Sequence, residues 1–243
     1  MTTTLAVITG ASRGIGAGIA VAAARSGATV AAVNRTPTGI ERQLTVDLAD
    51  PAAWPVFAHW YEQLVELAAP DRVVFVHNSA TLTPIGPAGS VDPDAYRSLV
   101  LLNSAAPQVL GDAAVRTAHR LGRPTVIFQL SSGAAESPYP GWSGYCSAKA
   151  AVEMWVKTVA TEIAEGDDLV RVAAVRPGIV ATEMQAEIRS STAAAFPNVE
   201  RFRDLYAAGH LSDPGQVGAQ IWALALADDW ANGSVLDVRQ LGS

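Results

Sequence analysis

The sequence predicts an α/β fold: one doubly wound domain, residues 1–243, with seven mostly parallel strands and helices on both faces. Three observations lead there. Apolar residues make up 49% of the chain and charged residues only 16%, a balance that suits a parallel sheet buried on both sides. The apolar run Leu5-Ala6-Val7-Ile8 leads at once into the Gly-rich stretch Thr9-Gly10-Ala11-Ser12-Arg13-Gly14-Ile15-Gly16, and a helical stretch over residues 15–26 comes next. Beyond it, short β-branched runs alternate with longer helical patterns to the end of the chain.

The first strand, turn and helix form the arrangement that binds a pyrophosphate. Glycines let the backbone approach phosphate oxygens, and the free N–H groups and dipole of a helix N-terminus favour negative charge. The spacing is Gly-x-x-x-Gly-x-Gly, which differs from the commonest dinucleotide fingerprint and is a weak signal alone. A second strand, 29–33, ends at Asn34-Arg35. At this point of dinucleotide folds an acid binds the ribose 2′-hydroxyl, whereas an Arg accommodates a 2′-phosphate. The acid is absent, so either Arg35 and Arg13 grip a phosphate, which selects NADP(H), or both are ordinary solvated arginines. Residues 36–40 offer only a turn, because Pro37 and Gly39 argue against helix. A short strand, 43–46, then delivers Asp47 and Leu48. With no helix over this edge, the sheet is expected to be thinly covered or capped by a partner subunit.

Residues 51–67 read as a helix, with Trp54, Phe57, Trp60, Tyr61, Leu64 and Leu67 at core spacing. The fourth strand, 72–76, leads into His77-Asn78-Ser79-Ala80. Two helical stretches fill 94–122, with Asn103 near the middle and Pro107 ending or kinking a helix. The fifth strand, 125–130, aims Ser131 and Ser132 at one edge of the sheet.

Ser132, Tyr145 thirteen residues on and Lys149 four further make a proton-transfer pattern. Tyr and Lys four apart share a helix face. A free phenol has a pKa of about 10, and an ammonium one turn away is expected to lower it. Taken alone, such a pair also occurs by chance on amphipathic helices. On the same helix Ala148, Val152, Trp155, Val156, Val159 and Ile163 form an apolar stripe, broadened by Ala151 and Ala160 and wide enough to bury a second subunit too. A sixth strand, 170–175, leaves through Arg176-Pro177-Gly178-Ile179-Val180-Ala181-Thr182. The polar, partly helical 183–210 reads as a lid extending to about 212. A helix at 214–227 and a strand at 234–238 close the chain.

Composition bounds the partners. A net charge of −6 with no basic run argues against nucleic acid. No apolar run reaches membrane-span length, and the first strand begins too early for a signal peptide. Cys146 is alone, which fits a reducing cytoplasmic compartment. His59, His77, His119 and His210 lack ligand spacing, so no metal site is expected.

Between Leu5 and about Val238 the chain resembles the short-chain dehydrogenase/reductase family. Segments 131–149, 177–189 and 196–209 are most similar to its sepiapterin reductase and benzil reductase branch. The resemblance implies a nicotinamide enzyme with an Asn103, Ser132, Tyr145, Lys149 tetrad. Ser132 would orient a carbonyl, Tyr145 would supply the proton, and Lys149 would contact the ribose. A bend at Asn103 would hold a water for the Lys149 relay; the alternative is an ordinary helix-surface amide. It also implies cofactor contacts from Asp47 and Leu48 at the adenine, from Asn78, Ser79 and Ala80, and from Pro177, Gly178, Val180 and Thr182 at the nicotinamide. His77 and Ala80 depart from the family's Asn-Asn-Ala-Gly, and Ala80 narrows the approach to the ribose. Family members commonly pair through the Asn103 and Tyr145 helices, which implies a homodimer or homotetramer. Asp237 lies where sepiapterin reductases carry a pterin-anchoring acid, and equally where relatives carry a structural one. Tyr139, Trp142 and Met184 border the expected substrate space, although Trp142 also reads as core. The expected reaction is NADPH-dependent reduction of a ketone or benzil-like diketone. A pteridine reductase and a non-catalytic NADP sensor are the alternatives, the intact tetrad arguing against the sensor.

Overall fold

The computed structural model describes residues 2–163, 166–227 and 229–240. One sheet of seven strands runs in the order β3-β2-β1-β4-β5-β6-β7. Its strands are β1 (Thr4–Thr9), β2 (Thr29–Asn34), β3 (Arg42–Thr45), β4 (Arg72–His77), β5 (Thr125–Leu130), β6 (Val170–Arg176) and β7 (Val235–Asp237). Every pairing is parallel. Chain order reverses between β1 and β4, so a crevice opens at the carboxyl ends of these two strands.

The side-chain alternation of β1 assigns the two layers. Ala6 and Ile8 face α1 (Gly14–Arg25) and α8 (Pro214–Leu226), packing with Ile19, Val217, Ile221 and Trp222. Leu5 and Val7 face α2 (Ala53–Ala68) and α4 (Ala106–Leu121), among Phe57, Tyr61 and Leu110; Val156 of α5 (Ser143–Glu162) joins the same cluster. Helices α1 and α8 meet backbone to backbone. A Cβ on Gly18 would lie 2.5 Å from the Pro214 carbonyl oxygen, and one on Gly218 would lie 2.4 Å from the Gly18 carbonyl carbon. Small residues therefore set this crossing distance.

No helix joins β2 to β3, as the sequence suggests. Gln43 organises the turn instead: its Oε1 accepts from the Thr38 N–H (2.8 Å) and its Nε2 donates to the Thr38 carbonyl (3.1 Å). Ile40, half-buried, packs against the α1 layer and supplies local cover. In α2 the core stripe is Phe57, Tyr61 and Val65, while Leu67 is 85% exposed and corrects the expectation that it packs inward. It lies one helical step past the buried face.

The stretch around Asn103 is one bent helix. Helix α3 (Pro93–Val100) passes through a single π-turn (Leu101–Ala105) into α4, with Pro107 in the first turn of α4. The segment after β6 carries α6 (Glu183–Ser190) and α7 (Val199–Ala207). Its Ile188, Phe196, Val199 and Phe202 form a third cluster with Leu82, Trp142 and Tyr145.

Candidate active site

The Gly-rich turn is braced from β4. The Thr9 hydroxyl accepts from the backbone N–H groups of Asn78 and Ser79, both at 3.0 Å. The Asn78 amide donates to the carbonyls of Thr9 (3.2 Å) and Gly10 (3.0 Å). Asn78 thus spends its side-chain donor on bracing the turn. Gly10 has φ +68° and Gly14 +56°, and a Cβ on Gly16 would sit 2.1 Å from the Gly10 oxygen. The α1 N-terminus begins at this bend with no side-chain cap, and Ser12 and Arg13 there are exposed.

Asn34, at the end of β2, is buried with neither side-chain polar atom hydrogen-bonded, whereas Arg35 and Asp47 are exposed. Asp47 closes a local turn by accepting from the Ala49 N–H (2.9 Å), and Leu48 is buried beside it. Arg13 has an acidic neighbour across the crevice. It pairs with Glu183 at the start of α6, an exposed contact that links the Gly-rich turn to the segment after β6.

The four tetrad positions converge beyond the ends of β4 and β5. Asn103 is buried in the π-turn, where its Oδ1 accepts from the Thr81 N–H (2.9 Å) and its Nδ2 donates to the Thr81 carbonyl (2.6 Å). This is a structural clamp and not an exposed helix amide. Lys149 donates to the Leu130 carbonyl at 2.7 Å, and burial pulls its pKa down to about 8.

Tyr145 does not behave as the spacing suggests. Burial pushes its pKa up to about 12; a hydrogen bond from Ser132 works against that rise, and the neighbouring Cys146 adds to it. The ammonium of Lys149 lies 5.6 Å from the phenol ring centroid and is held on a carbonyl, so desolvation prevails over its attraction for a phenolate. The result is a phenol that stays protonated at neutral pH. His77 is also buried, and burial followed by the Lys149 charge depresses it to about 3, which keeps it neutral.

A cavity of about 190 Å³ opens beside this group. Ser132, Tyr145, Ile15, Pro177, Gly178 and Val180 line it, together with Thr182, Tyr139, Trp142 and Met184. Trp142 stacks on Phe196, with ring centroids 4.3 Å apart and planes 3° apart, so it is both core and wall. Thr182 caps α6 by accepting from the Gln185 N–H (3.4 Å). Asp237 is absent from the lining. It pairs with Arg239, whose Nε (2.9 Å) and Nη2 donate to the Asp237 carboxylate and which itself reaches the cavity. The carboxylate is thus paired within its own strand end.

Sequence reasoning missed the polar group beneath the cavity. Ser131 donates to Glu153 Oε1 at 2.6 Å, and Arg176 donates to both Glu153 oxygens at 2.7 Å. A signal was present: Glu153 follows Tyr145 and Lys149 at i+8 and i+4 on one helix face, where an acid in an apolar stripe requires a buried partner.

A parallel doubly wound sheet with a phosphate-shaped turn at its switch point, and a protonated phenol beside it, defines the class of an oxidoreductase working on CH–OH and C=O groups. The chain belongs to the short chain dehydrogenase family, whose profile matches residues 4–193. It is 35% identical over 241 residues to the benzil reductase ((S)-benzoin forming) of Bacillus subtilis, covering 97% of this chain and 98% of that one. In fold it is similar to a short-chain dehydrogenase/reductase from Saccharomyces cerevisiae (TM-score 0.84, 24% identity, 98% and 97% of the two chains). It is likewise similar to a 3-oxoacyl-[acyl-carrier protein] reductase from Brucella melitensis in complex with NAD (TM-score 0.80, 24% identity, 98% and 96%). Among the described residues no helix is long and apolar enough to cross a membrane, and no group of His, Cys, Asp or Glu could hold a metal ion.

Proposed function

We propose that this chain is an NADPH-dependent carbonyl reductase that converts a ketone or benzil-like diketone to an alcohol, with Tyr145 as the general acid. The observation that carries the reading is the placement of Ser132 and the buried Tyr145 together at the wall of an aromatic-lined cavity. The full-length similarity to the Bacillus subtilis benzil reductase supports the substrate class.

The residues present fit a nicotinamide dinucleotide. A backbone cradle that no Cβ could share, an uncapped helix N-terminus and the orphaned Asn34 amide follow one another along the crevice. Gly10, Gly14 and Gly16 would hold its pyrophosphate and Asn34 its adenosine ribose; Arg35 would take a 2′-phosphate, and Pro177 to Thr182 would border the nicotinamide. When bound, the dinucleotide supplies the hydride.

Ser132 orients the carbonyl oxygen and Tyr145 donates to it. A phenol is protonated at neutral pH and can give its proton as negative charge develops on oxygen. Lys149, anchored on β5 through the Leu130 carbonyl, returns a proton to the phenol, and the Asn103 clamp keeps the π-turn open beside it. Tyr139, Trp142 and Met184 offer flat and polarizable surfaces to an aryl group.

As part of the same reading, residues 183–212 act as a lid over a single domain. Copies associate as a homodimer or homotetramer through α4 and α5, which expose Val109 and Met154. The enzyme works in the cytoplasm, consistent with its lone Cys146. The deciding experiment is steady-state NADPH oxidation with benzil, aliphatic ketones and sepiapterin, alongside NADH. Turnover of benzil with NADPH is expected. Turnover confined to sepiapterin, or none despite tight NADPH binding, would replace the reading with a pteridine reductase or a sensor.

A further inference from the structure

We propose that Arg176 recognises the second carbonyl oxygen of a vicinal dicarbonyl substrate, making it the residue that favours 1,2-diketones over simple ketones. The inference rests on the carbonyl-reductase reading above and deepens it.

Arg176 ends β6 and lines the same cavity as Ser132, Tyr145 and Trp142. Its side chain is only 12% exposed. One edge of the guanidinium is fully committed: Nε and Nη2 each donate to an oxygen of Glu153 at 2.7 Å, and Nη2 also meets Glu136 at 2.8 Å. Glu153 is in turn held by the Ser131 hydroxyl, next in the chain to Ser132. The planar group therefore cannot swing, and its position is tied to that of the residue that orients the reacting oxygen. Nη1 has no acceptor among the described residues.

A largely enclosed charged donor with one free amino group, at the wall of a substrate cavity, is suited to receive an acceptor. Charge selects the acceptor. Two carboxylates already compensate one guanidinium, so a neutral carbonyl oxygen is suited to the free N–H and a further carboxylate is not. The other arginines of the lining are differently placed: Arg239 is bound to Asp237, and Arg201 is exposed, 3.4 Å from the Tyr139 hydroxyl. In a vicinal dicarbonyl, one oxygen then lies on Ser132 and Tyr145 and its neighbour on Arg176.

The test compares benzil with deoxybenzoin, which keeps both phenyl rings and one carbonyl but replaces the other with a methylene. The ratio of their kcat/KM values is measured in the wild type, in Arg176→Met, and in the double substitution E153Q/R176M, which avoids stranding a buried carboxylate. The ratio should fall roughly tenfold to a hundredfold in the variants, the range for losing a hydrogen bond from a charged donor. An unchanged ratio in either folded variant overturns the proposal. As a check that leaves Arg176 intact, Tyr145→Phe should bind benzil at least about tenfold tighter than deoxybenzoin by tryptophan-fluorescence titration; equal affinities also overturn it. If the wild type reduces both ketones, these outcomes concern Arg176 alone. If it reduces neither, the parent reading fails and this proposal falls with it.

Discussion

The Lys149 ammonium lies 5.6 Å from the centre of the Tyr145 ring and donates to the Leu130 carbonyl at 2.7 Å. Lysine thus anchors α5 to β5, and burial keeps the phenol from being drawn toward phenolate. Roles at this site follow from which groups are protonated, and substitution can separate them.

Tyr145→Phe should lower kcat for benzil reduction by roughly a hundredfold to ten-thousandfold, the usual contribution of a general acid. NADPH affinity, measured by fluorescence titration, should change little. Retention of more than about a tenth of wild-type turnover would remove Tyr145 from the acid role, since such a loss lies far below a general acid's contribution. Lys149→Ala should lose turnover and cofactor affinity together.

His77 predicts an acid limb in stability. Its folded pKa of about 3 lies below the ordinary value of 6.5 because of burial and then the Lys149 charge. Between those two values the unfolded chain binds a proton that the folded chain refuses, so stability falls as pH drops through this window. By pH 4.5 the loss from this one group is roughly 2–3 kcal/mol. Urea midpoints at pH 7 and 4.5 should converge in His77→Asn relative to the wild type, and an unaltered gap would assign the acid limb to other groups.

Arg35→Asp should raise the Kd for NADPH about tenfold or more, the scale of one charge-assisted hydrogen bond. The new carboxylate should at the same time improve NADH use. Equal use of both nucleotides by the wild type would sink the assigned role. Arg13→Ala should matter less for nucleotide choice, because its partner is Glu183.

Trp142→Ala removes a ring that stacks on Phe196 and also walls the cavity. Stability should drop by about 3–5 kcal/mol, as for large aromatic truncations in cores, with a lower Tm. Activity per folded enzyme should fall selectively on benzil and be spared on a small aliphatic diketone. A uniform loss on every substrate would make Trp142 core alone.

The sequence by itself determined the fold class, the order of elements, the turn that replaces a helix between β2 and β3, and the candidacy of Ser132, Tyr145 and Lys149. Each of these is encoded locally, in hydrophobic period, in Gly and Pro placement, or in spacing along one helix. Only the tertiary structure decided the protonation of Tyr145, the pairing of Arg13 with Glu183 and of Asp237 with Arg239, and the Ser131–Glu153–Arg176 group. Desolvation depends on what the whole fold packs around a phenol, and a buried acid is matched by a cation that arrives from another strand. Lys149 stood at the right spacing to lower the Tyr145 pKa, yet burial of both groups and a carbonyl on β5 set the balance the other way.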